Sequence, residues 1–229
     1  MHWQLHVWKG CGIVKDLEKI YQKRFGKDSE FRNNMYKVLC KSFFQKYVPE
    51  NSVVLDVAAG YCEFINHIKA GKKIAIDINT DIKKFSGNDV EAILCSSTNM
   101  KSIKKESIDV VFSSNFFEHL TKPDVIKTIS EIHRVLKPSG KLLVLQPNIR
   151  YCYKDYWMFF DHIIPLDDRS LVEILEINRF KIVECRPKFL PFTTKSKLPK
   201  SITLLKLYLR MPLAQKIFGK QAFVYAVKI

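Results

Sequence analysis

Short apolar segments alternate with helical patterns along most of this chain. The apolar segments predict strands at 53–57, 73–77, 91–95, 108–114 and 141–147, followed by strands at about 180–185 and 222–228. Helical periodicity predicts helices at about 31–47, 61–69, 122–136 and 170–177. This alternation is typical of a mainly parallel sheet with helices on both faces. In such a sheet, ligands bind beyond the carboxyl ends of the strands.

The length and composition fit one folded domain. The chain has 229 residues, of which 47% are hydrophobic, so it can bury a substantial core. We expect a single domain over 1–229, with a helical cap at 1–50 and a cofactor-binding half at 51–147. The acceptor-side half would span 148–229 and contain a basic insertion at 187–219.

The first strand leads into a turn, VVLDVAAGYCEF, that predicts a nucleotide-like ligand. Asp56 ends the strand, and the turn containing Gly60 leaves backbone N–H groups free at the start of the next helix. The following strand ends in Asp77, where a carboxylate can accept hydrogen bonds from the two hydroxyls of a ribose. Only one glycine remains in the turn, which favours an adenosine-containing ligand without phosphates.

Four stretches carry a family resemblance: LDVAAGYCEF, AIDIN, IDVVFSSNFFEHL and EIHRVLKPSGKLLVLQPN. They resemble motifs of the class I S-adenosylmethionine-dependent methyltransferases. The resemblance implies an α/β Rossmann-like methyltransferase fold, with three αβα layers and a mostly parallel seven-stranded sheet whose last strand is antiparallel. It also implies S-adenosyl-L-methionine as the cofactor.

Three positions depart from the family pattern. Ala58 and Cys62 stand where the first motif usually has its outer glycines, and Ser139 replaces the first glycine of a KPGG turn. We expect Ala58 to be a mild change because it allows close backbone approach at negative φ. Cys62 must either face away from the ligand or narrow the pocket.

The resemblance implies cofactor contacts at the ends of the first four strands. Asp56 and the backbone of Ala58 and Gly60 would lie near the amino-acid end of the cofactor, and Asp77 would bind the ribose. Ile78 would flank the adenine, with Ser97, Thr98 or Asn99 against its amino group. Ser114 and Asn115 would line the reacting centre. The alternative for Asp77 and Asn115 is simple capping of a turn or helix.

Methyl transfer to a hydroxyl is helped by a nearby base. The candidates are His119 and the Asp161–His162 pair, although a structural role at a helix start is the favoured alternative for His119. Acceptor contacts are expected at the end of the fifth strand and in the aromatic segment that follows it, at Asn148, Arg150, Tyr151 and Tyr156. We expect no metal ion, because the sequence shows no clustered set of carboxylates and histidines at the site.

A second resemblance lies downstream, in QPNIRYCYKDYWMFFDHIIPLDDRSL, KFLPFTTKSKLP and LYLRMPLAQKIFGKQ. These stretches look like a bacterial methyltransferase subfamily associated with capsule and other surface-polysaccharide biosynthesis. The resemblance implies O-methylation of a small or glycan-linked anionic acceptor, such as a sugar nucleotide, a lipid-linked glycan or a phosphorylated precursor. The alternatives are a nucleic-acid methyltransferase, which is disfavoured, and a cofactor-binding but inactive partner protein.

Positive charge is concentrated near the carboxyl end. The chain has a formal net charge of +15, and its last 51 residues hold twelve Lys or Arg and one acid, Glu184. Apolar residues recur with helical spacing over 201–218 around Pro212. This segment could contact a membrane surface, bind phosphate or pack on the domain. Because the sequence shows no signal sequence or long apolar run, we expect a cytoplasmic protein. Association with the inner membrane face and the oligomeric state are left open.

Overall fold

The computed structural model describes residues 29–192 and 200–229. Seven strands occur there: β1 Val53–Val57, β2 Lys72–Asp77, β3 Val90–Leu94, β4 Ile108–Ser114, β5 Leu136–Pro147, β6 Phe180–Leu190 and β7 Gln221–Lys228. The α-helices in the same residues are α1 Ser29–Ser42, α2 Glu63–His67, α3 Ile82–Phe85, α4 Lys122–Val135, α5 Ile149–Tyr156, α6 Asp168–Ile177, α7 Ile202–Leu209 and α8 Pro212–Phe218. Short 3₁₀ turns follow α1 at Phe44–Lys46 and β4 at Phe117–His119.

The strands form one sheet in the order β3-β2-β1-β4-β5-β7-β6. The first five pair in parallel, whereas β7 lies antiparallel between β5 and β6. This arrangement confirms the predicted Rossmann-like methyltransferase fold. The sheet order reverses at β1 and β4, so the crevice beyond these two strands is the expected place for a ligand.

Apolar side chains on the two faces of the sheet build separate cores. On one face, Leu55 and Val57 of β1 pack with Ile129 and Ile132 of α4. On the other, Val54 packs with aromatic and aliphatic residues of α1, α2 and the turn between α1 and β1. Successive strand residues point to opposite faces, which explains how one short strand serves both cores.

Several element boundaries differ from the predictions, and strand β5, for example, begins at Leu136 instead of residue 141. Helix α1 ends at Ser42 instead of continuing to residue 47, and α2 is shorter than the predicted 61–69. Strand β6 continues to Leu190, five residues beyond its predicted end, because it pairs with β7 along most of that length. Residues 149–156 form α5, which the aromatic composition of that segment did not predict. The expected break at Pro212 is present, since α7 ends at Leu209 and Pro212 begins α8.

Parts of two predicted regions lie outside the described residues. These parts are 1–28 of the helical cap and 193–199 of the basic insertion, which include Lys195 and Lys197. Within the described ranges, each helix is too short or too polar to cross a bilayer.

The turn after β1 has the left-handed backbone that glycines usually supply. Ala58, Gly60 and Cys62 have φ of 59°, 53° and 58°. The expectation that Ala58 keeps a negative φ is therefore wrong, because the turn imposes the same conformation on the alanine. An L-residue in this conformation costs about 1–2 kcal/mol. Ser139, in the KPSG turn, has φ of 59° for the same reason.

Cys62 faces away from the ligand side, as the first of its two predicted alternatives requires. It is buried in the core under α1 and α2, and its Sγ lies 3.9 Å from the carbonyl oxygen of Ile82. Burial raises the pKa of the Cys62 thiol to about 12. The thiol is therefore a packing group, and the turn keeps its shape without narrowing the space above Gly60.

We predict that Ala58→Gly stabilises the fold by roughly 0.5–1 kcal/mol, because relief of left-handed strain exceeds the entropic cost of a new glycine. The matched control is Ala59→Gly in the next position of the same turn, where φ is not positive. That control should destabilise by a similar amount. Urea unfolding of both variants measures the difference, and equal destabilisation by the two substitutions would show that the Ala58 conformation stores no strain.

Candidate functional site

A large cavity opens at the carboxyl ends of the central strands. Its volume is about 1210 Å³. Single small-molecule sites usually span about 300–1,000 Å³, so this cavity is large enough for two ligands side by side. One end is formed by the loops after β1, β2 and β3, and the other by segments 116–121, 159–163 and 200–218.

Asp77 holds the loops after β1 and β2 together. Its Oδ2 accepts a hydrogen bond from the Gly60 N–H at 2.8 Å, and its Oδ1 accepts one from the Asn79 N–H at 2.8 Å. Asp77 therefore does cap the turn, which was the alternative interpretation of this residue. Each carboxylate oxygen has a further lone pair, so capping leaves acceptors for ligand hydroxyls. A Cβ added at Gly60 would meet none of the described atoms within 4 Å, which leaves space beside these acceptors.

Three carboxylates give this end of the cavity an acidic floor. Asp56 is buried, and burial together with the nearby Asp77 and Glu63 raises its pKa well above its usual value. Burial also raises the pKa of Asp77 and Glu63. Arg32 of α1 forms an ion pair with Glu63. A ligand with cationic groups would offset the remaining repulsion and favour the ionised carboxylates.

The predicted adenine end lies in the loops after β2 and β3. Ile78, Ser97, Thr98 and Asn99 all line the cavity, with Ile78 about half exposed. The Ser97 hydroxyl shares a 2.9 Å hydrogen bond with Thr128 of α4, which fixes Ser97 against the helix. Thr98 and Asn99 remain the better placed of the three candidates for an adenine amino group.

Ser114 and Asn115 lie at the centre of the cavity, at the end of β4. Asn115 has a left-handed φ of 49°, and its Nδ2 donates to the Ser114 Oγ at 2.8 Å. The hydroxyls of Ser114 and Tyr36 are 2.9 Å apart. Helix α1 thus closes this part of the cavity through Tyr36, which the sequence did not single out. Neither Tyr36 nor Arg32 belongs to a recognisable motif, since only the tertiary fold brings α1 over the strand ends.

The three predicted catalytic residues come together with a fourth, Glu118. The Nδ1 of His119 donates to the carbonyl oxygen of Asp161 at 3.0 Å, and its Nε2 lies 3.8 Å from the Oε1 of Glu118. The rings of His119 and His162 are 5.0 Å apart. Ligand atoms of Glu118, His119 and His162 all lie within 4.8 Å of one another. The expectation that no carboxylate and histidine set clusters here is therefore wrong.

The four predicted acceptor contacts lie outside the cavity lining, where they support the fold. Asn148 is fully buried, caps α5 and donates to Asp168 at 2.7 Å. Arg150 forms an ion pair with the same Asp168, and its guanidinium lies over the Tyr151 ring. Tyr156 is also buried, and its hydroxyl donates to the Ile164 carbonyl oxygen at 2.7 Å. The buried Asp168 carboxylate draws the polar groups of this segment inward.

The acceptor end is instead lined mainly by apolar side chains from segment 159–163 and from α7 and α8. They include Phe159, Ile163, Leu204, Leu207, Met211 and Phe218. The helical spacing of apolar residues over 201–218 was visible in the sequence. Their position on the cavity was not, because it depends on the packing of α7 against α1.

Comparison with known proteins finds a family match in the middle of the chain. A family model described as a methyltransferase domain matches residues 55–144. An uncharacterized protein of Methanocaldococcus jannaschii is 31% identical over 64% of this chain and 61% of its own length. The ubiquinone/menaquinone biosynthesis C-methyltransferase UbiE of Rickettsia felis is 33% identical over 56% of this chain and 58% of its own length. The chain thus spans less than two thirds of either relative.

A solved structure extends the likeness over most of the chain. A SAM-dependent methyltransferase from Archaeoglobus fulgidus superposes with a TM-score of 0.67 and 23% identity, covering 89% of this chain and 99% of that one. At this identity the superposition shows a shared fold. Residues 55–144 therefore match a methyltransferase family model, in a chain with a Rossmann-like methyltransferase fold.

Proposed function

We propose that this chain transfers a methyl group from S-adenosylmethionine to the polar end of a lipid-linked acceptor. The observation that carries the proposal is the single cavity that joins an acidic, backbone-lined end to an apolar end, with the Glu118–His119–Asp161–His162 cluster between them. The family match supports the donor, and the apolar wall supports the acceptor class.

The residues at the acidic end suit S-adenosylmethionine. When bound, this cofactor supplies an electrophilic methyl group on a sulfonium. Asp77 would accept hydrogen bonds from the ribose hydroxyls, and the space above Gly60 would admit the amino-acid part. Asp56 and Glu63 would stabilise its positive charges. Ala58 would contribute its backbone, as the resemblance implies.

Methyl transfer needs alignment more than special chemical groups. Holding two reactants in line can lower the barrier by about 7–11 kcal/mol. Ser114 and Asn115 lie between the two ends of the cavity and would position the reacting centre. We propose that the acceptor's nucleophile lies against His119, whose ring is held by Asp161, with His162 completing the wall beside it.

Among the acceptors implied by the sequence, the apolar wall favours the lipid-linked glycan over a free sugar nucleotide. A free sugar nucleotide would leave the side chains of Leu204, Leu207 and Met211 in contact with polar groups. A lipid tail would bury them, with a gain of about 25 cal/mol per Å² of apolar surface. Lys200 also lines the cavity on this side and would attract a phosphate.

A second candidate is C-methylation of a quinone-type ring. The UbiE relative is named for ubiquinone and menaquinone biosynthesis, and the apolar wall suits a prenylated ring equally well. Product analysis separates the two candidates, because a methyl group on oxygen and one on ring carbon give different fragment ions.

The rim of the apolar end is suited to an anionic membrane surface. Leu213 and Ile217 of α8 are 72% and 70% exposed, and the α7–α8 segment also carries Lys206, Arg210 and Lys216. Exposed apolar side chains among basic residues are typical of interfacial helices. We propose that α8 contacts the membrane and brings the cavity mouth to a lipid-linked acceptor.

We predict that Asp77→Asn weakens binding of S-adenosylmethionine by at least tenfold, since it removes one acceptor oxygen and the charge that strengthens the ribose hydrogen bonds, worth about 1.5–3 kcal/mol each. Asp81→Asn, in the same loop but ion-paired with Lys84, is the control and should bind like wild type. Isothermal titration calorimetry measures both. Absence of binding by folded wild-type protein would reject the proposed function.

We predict that affinity for S-adenosylmethionine rises as pH increases above the ordinary carboxyl range, through the raised pKa values of the three carboxyl groups of the acidic floor, and then levels off. The cationic ligand prefers ionised carboxylates, whereas the raised pKa values of Asp56, Asp77 and Glu63 keep part of the free protein protonated in mild acid. Binding should therefore release protons, which calorimetry in two buffers of different ionisation enthalpy detects. Asp56→Asn should flatten the profile, and a pH-independent affinity in wild type would contradict the acidic-floor explanation.

The same shifts have a defined effect on folding. Each carboxyl holds a proton in the folded chain at a pH where the unfolded chain has released it. Unfolding free energy of the ligand-free protein therefore falls as pH rises through these raised pKa values. The cofactor should restore stability most strongly near neutral pH.

We predict turnover of lipid-linked acceptors in anionic vesicles, with much less activity on their soluble headgroups. Leu213→Glu/Ile217→Glu should reduce vesicle sedimentation and vesicle turnover at least tenfold, because burying each side chain is worth about 1.5–3 kcal/mol. The control is Ile177→Glu on α6, where the side chain is also 70% exposed but lies away from the cavity. Salt-sensitive methylation of RNA would favour the alternative of a nucleic-acid methyltransferase. Cofactor binding without any turnover would favour the alternative of an inactive partner protein.

A further inference from the structure

Glu118 is the most unusual polar group in the cavity. Its side chain is 1% exposed, and within residues 29–192 and 200–229 neither carboxylate oxygen has a hydrogen-bond partner. A buried carboxylate without compensation is strongly unfavourable. Glu118 also lines the cavity, so a ligand can reach it. The carboxylate is therefore placed to receive a cation.

The neighbouring imidazole presents a lone pair to this carboxylate. His119 Nδ1 lies 3.0 Å from the carbonyl oxygen of Asp161, which can only accept, so Nδ1 carries the hydrogen in the neutral ring. The lone pair is then on Nε2, 3.8 Å from the Oε1 of Glu118. Two electron-rich atoms facing each other at this distance can share one cation. A carbonyl that fixes the tautomer from behind is the usual support of a metal-binding histidine.

The backbone holds a third ligand atom beside this pair. The carbonyl oxygen of Glu118 accepts hydrogen bonds from the N–H groups of Ile163 and Ile164 at 2.8 and 3.3 Å. These two hydrogen bonds hold His162 next to the 3₁₀ turn at Phe117–His119, and the centroid of the Tyr156 ring lies 4.6 Å from that of the His162 ring. One ring nitrogen of His162 lies within 4.8 Å of both other ligand atoms.

We propose that Glu118, His119 and His162 form a binding site for a divalent transition-metal ion at the acceptor end of the cavity. Two imidazoles and one carboxylate suit Zn²⁺, Fe²⁺ or Mn²⁺, whereas Mg²⁺ and Ca²⁺ prefer sites made of oxygen ligands. Three protein ligands leave a coordination position open, as in catalytic metal sites. Asp161 supports the site through His119.

The open position lies toward the acceptor. An oxygen of the acceptor bound there would ionise more easily, because a metal ion lowers the pKa of a bound hydroxyl. This consequence rests on the proposed methyltransferase function. Metal binding itself does not, since it depends only on the three side chains and can be measured without cofactor or acceptor.

Calorimetric titration of the EDTA-treated full chain with Zn²⁺, Mn²⁺ and Mg²⁺ tests the site. We expect one Zn²⁺ or Mn²⁺ per chain at this site and much weaker binding of Mg²⁺. Substitution with Co²⁺ should give a visible absorption band typical of nitrogen and oxygen ligands. Glu118→Gln and His162→Phe should each weaken binding at least tenfold, the second while keeping the ring packing against Tyr156.

His67→Gln is the matched control, because His67 lies outside the cavity and bonds only a neighbouring amide, that of Asn33, in the hydrogen bonds described. It should bind the ion like wild type. The site is overturned if wild type binds no stoichiometric ion, or if Glu118→Gln binds as tightly as wild type, in which case a proton compensates the carboxylate. Titration of S-adenosylmethionine into wild type separates the two failures, since wild type that binds the cofactor but no stoichiometric ion rejects the metal site alone, whereas wild type that binds the ion but no cofactor rejects the proposed function alone.

Discussion

The hydrogen bond from the Gly60 N–H to the Asp77 carboxylate is the interaction on which the site depends. It joins the loops after two adjacent parallel strands at the edge where the sheet order allows a ligand to enter. To reach Asp77, the backbone must turn through three left-handed residues, two of which carry side chains. The turn thus keeps a glycine-like shape with a single glycine, and the packing of Cys62 and α2 beneath it offsets the backbone strain.

The sequence could predict the elements whose determinants are local. Val53–Val57 and Ile108–Ser114 are apolar runs with turn residues at their ends, so their strands and the ligand-binding edge followed directly. The acids at 56 and 77 could be placed for the same reason, because each ends a strand. Helix α5 was missed because the aromatic residues of 149–156 fit either a helix or a loop, and tertiary packing around Tyr156 decides between them.

The acceptor end of the cavity could not be predicted from the sequence, because its contacts join segments that are distant along the chain. Arg150 lies at a strand end, as an acceptor contact should, but the buried Asp168 eighteen residues later binds its guanidinium. Glu118 and His162 are separated by more than forty residues. They are brought together by the backbone bonds to the Glu118 carbonyl oxygen and by the hydrogen bond from His119 to the Asp161 carbonyl oxygen. A spacing rule for metal ligands fails here, since it requires ligands on one local motif.

The charge distribution explains how one cavity can take two ligands of different character. The chain is strongly basic overall, with the excess concentrated after residue 179, yet the floor of the cofactor end carries three carboxylates. A cationic sulfonium would therefore be attracted by the floor, while the anionic acceptor or membrane of the proposed function would be attracted by the rim. Because the two ends share one cavity, each proposed ligand would be disfavoured at the other's position, and the reacting groups would meet at Ser114, Asn115 and the histidine cluster. Opposite electrostatics at the two ends thus provide the orientation that an in-line displacement requires.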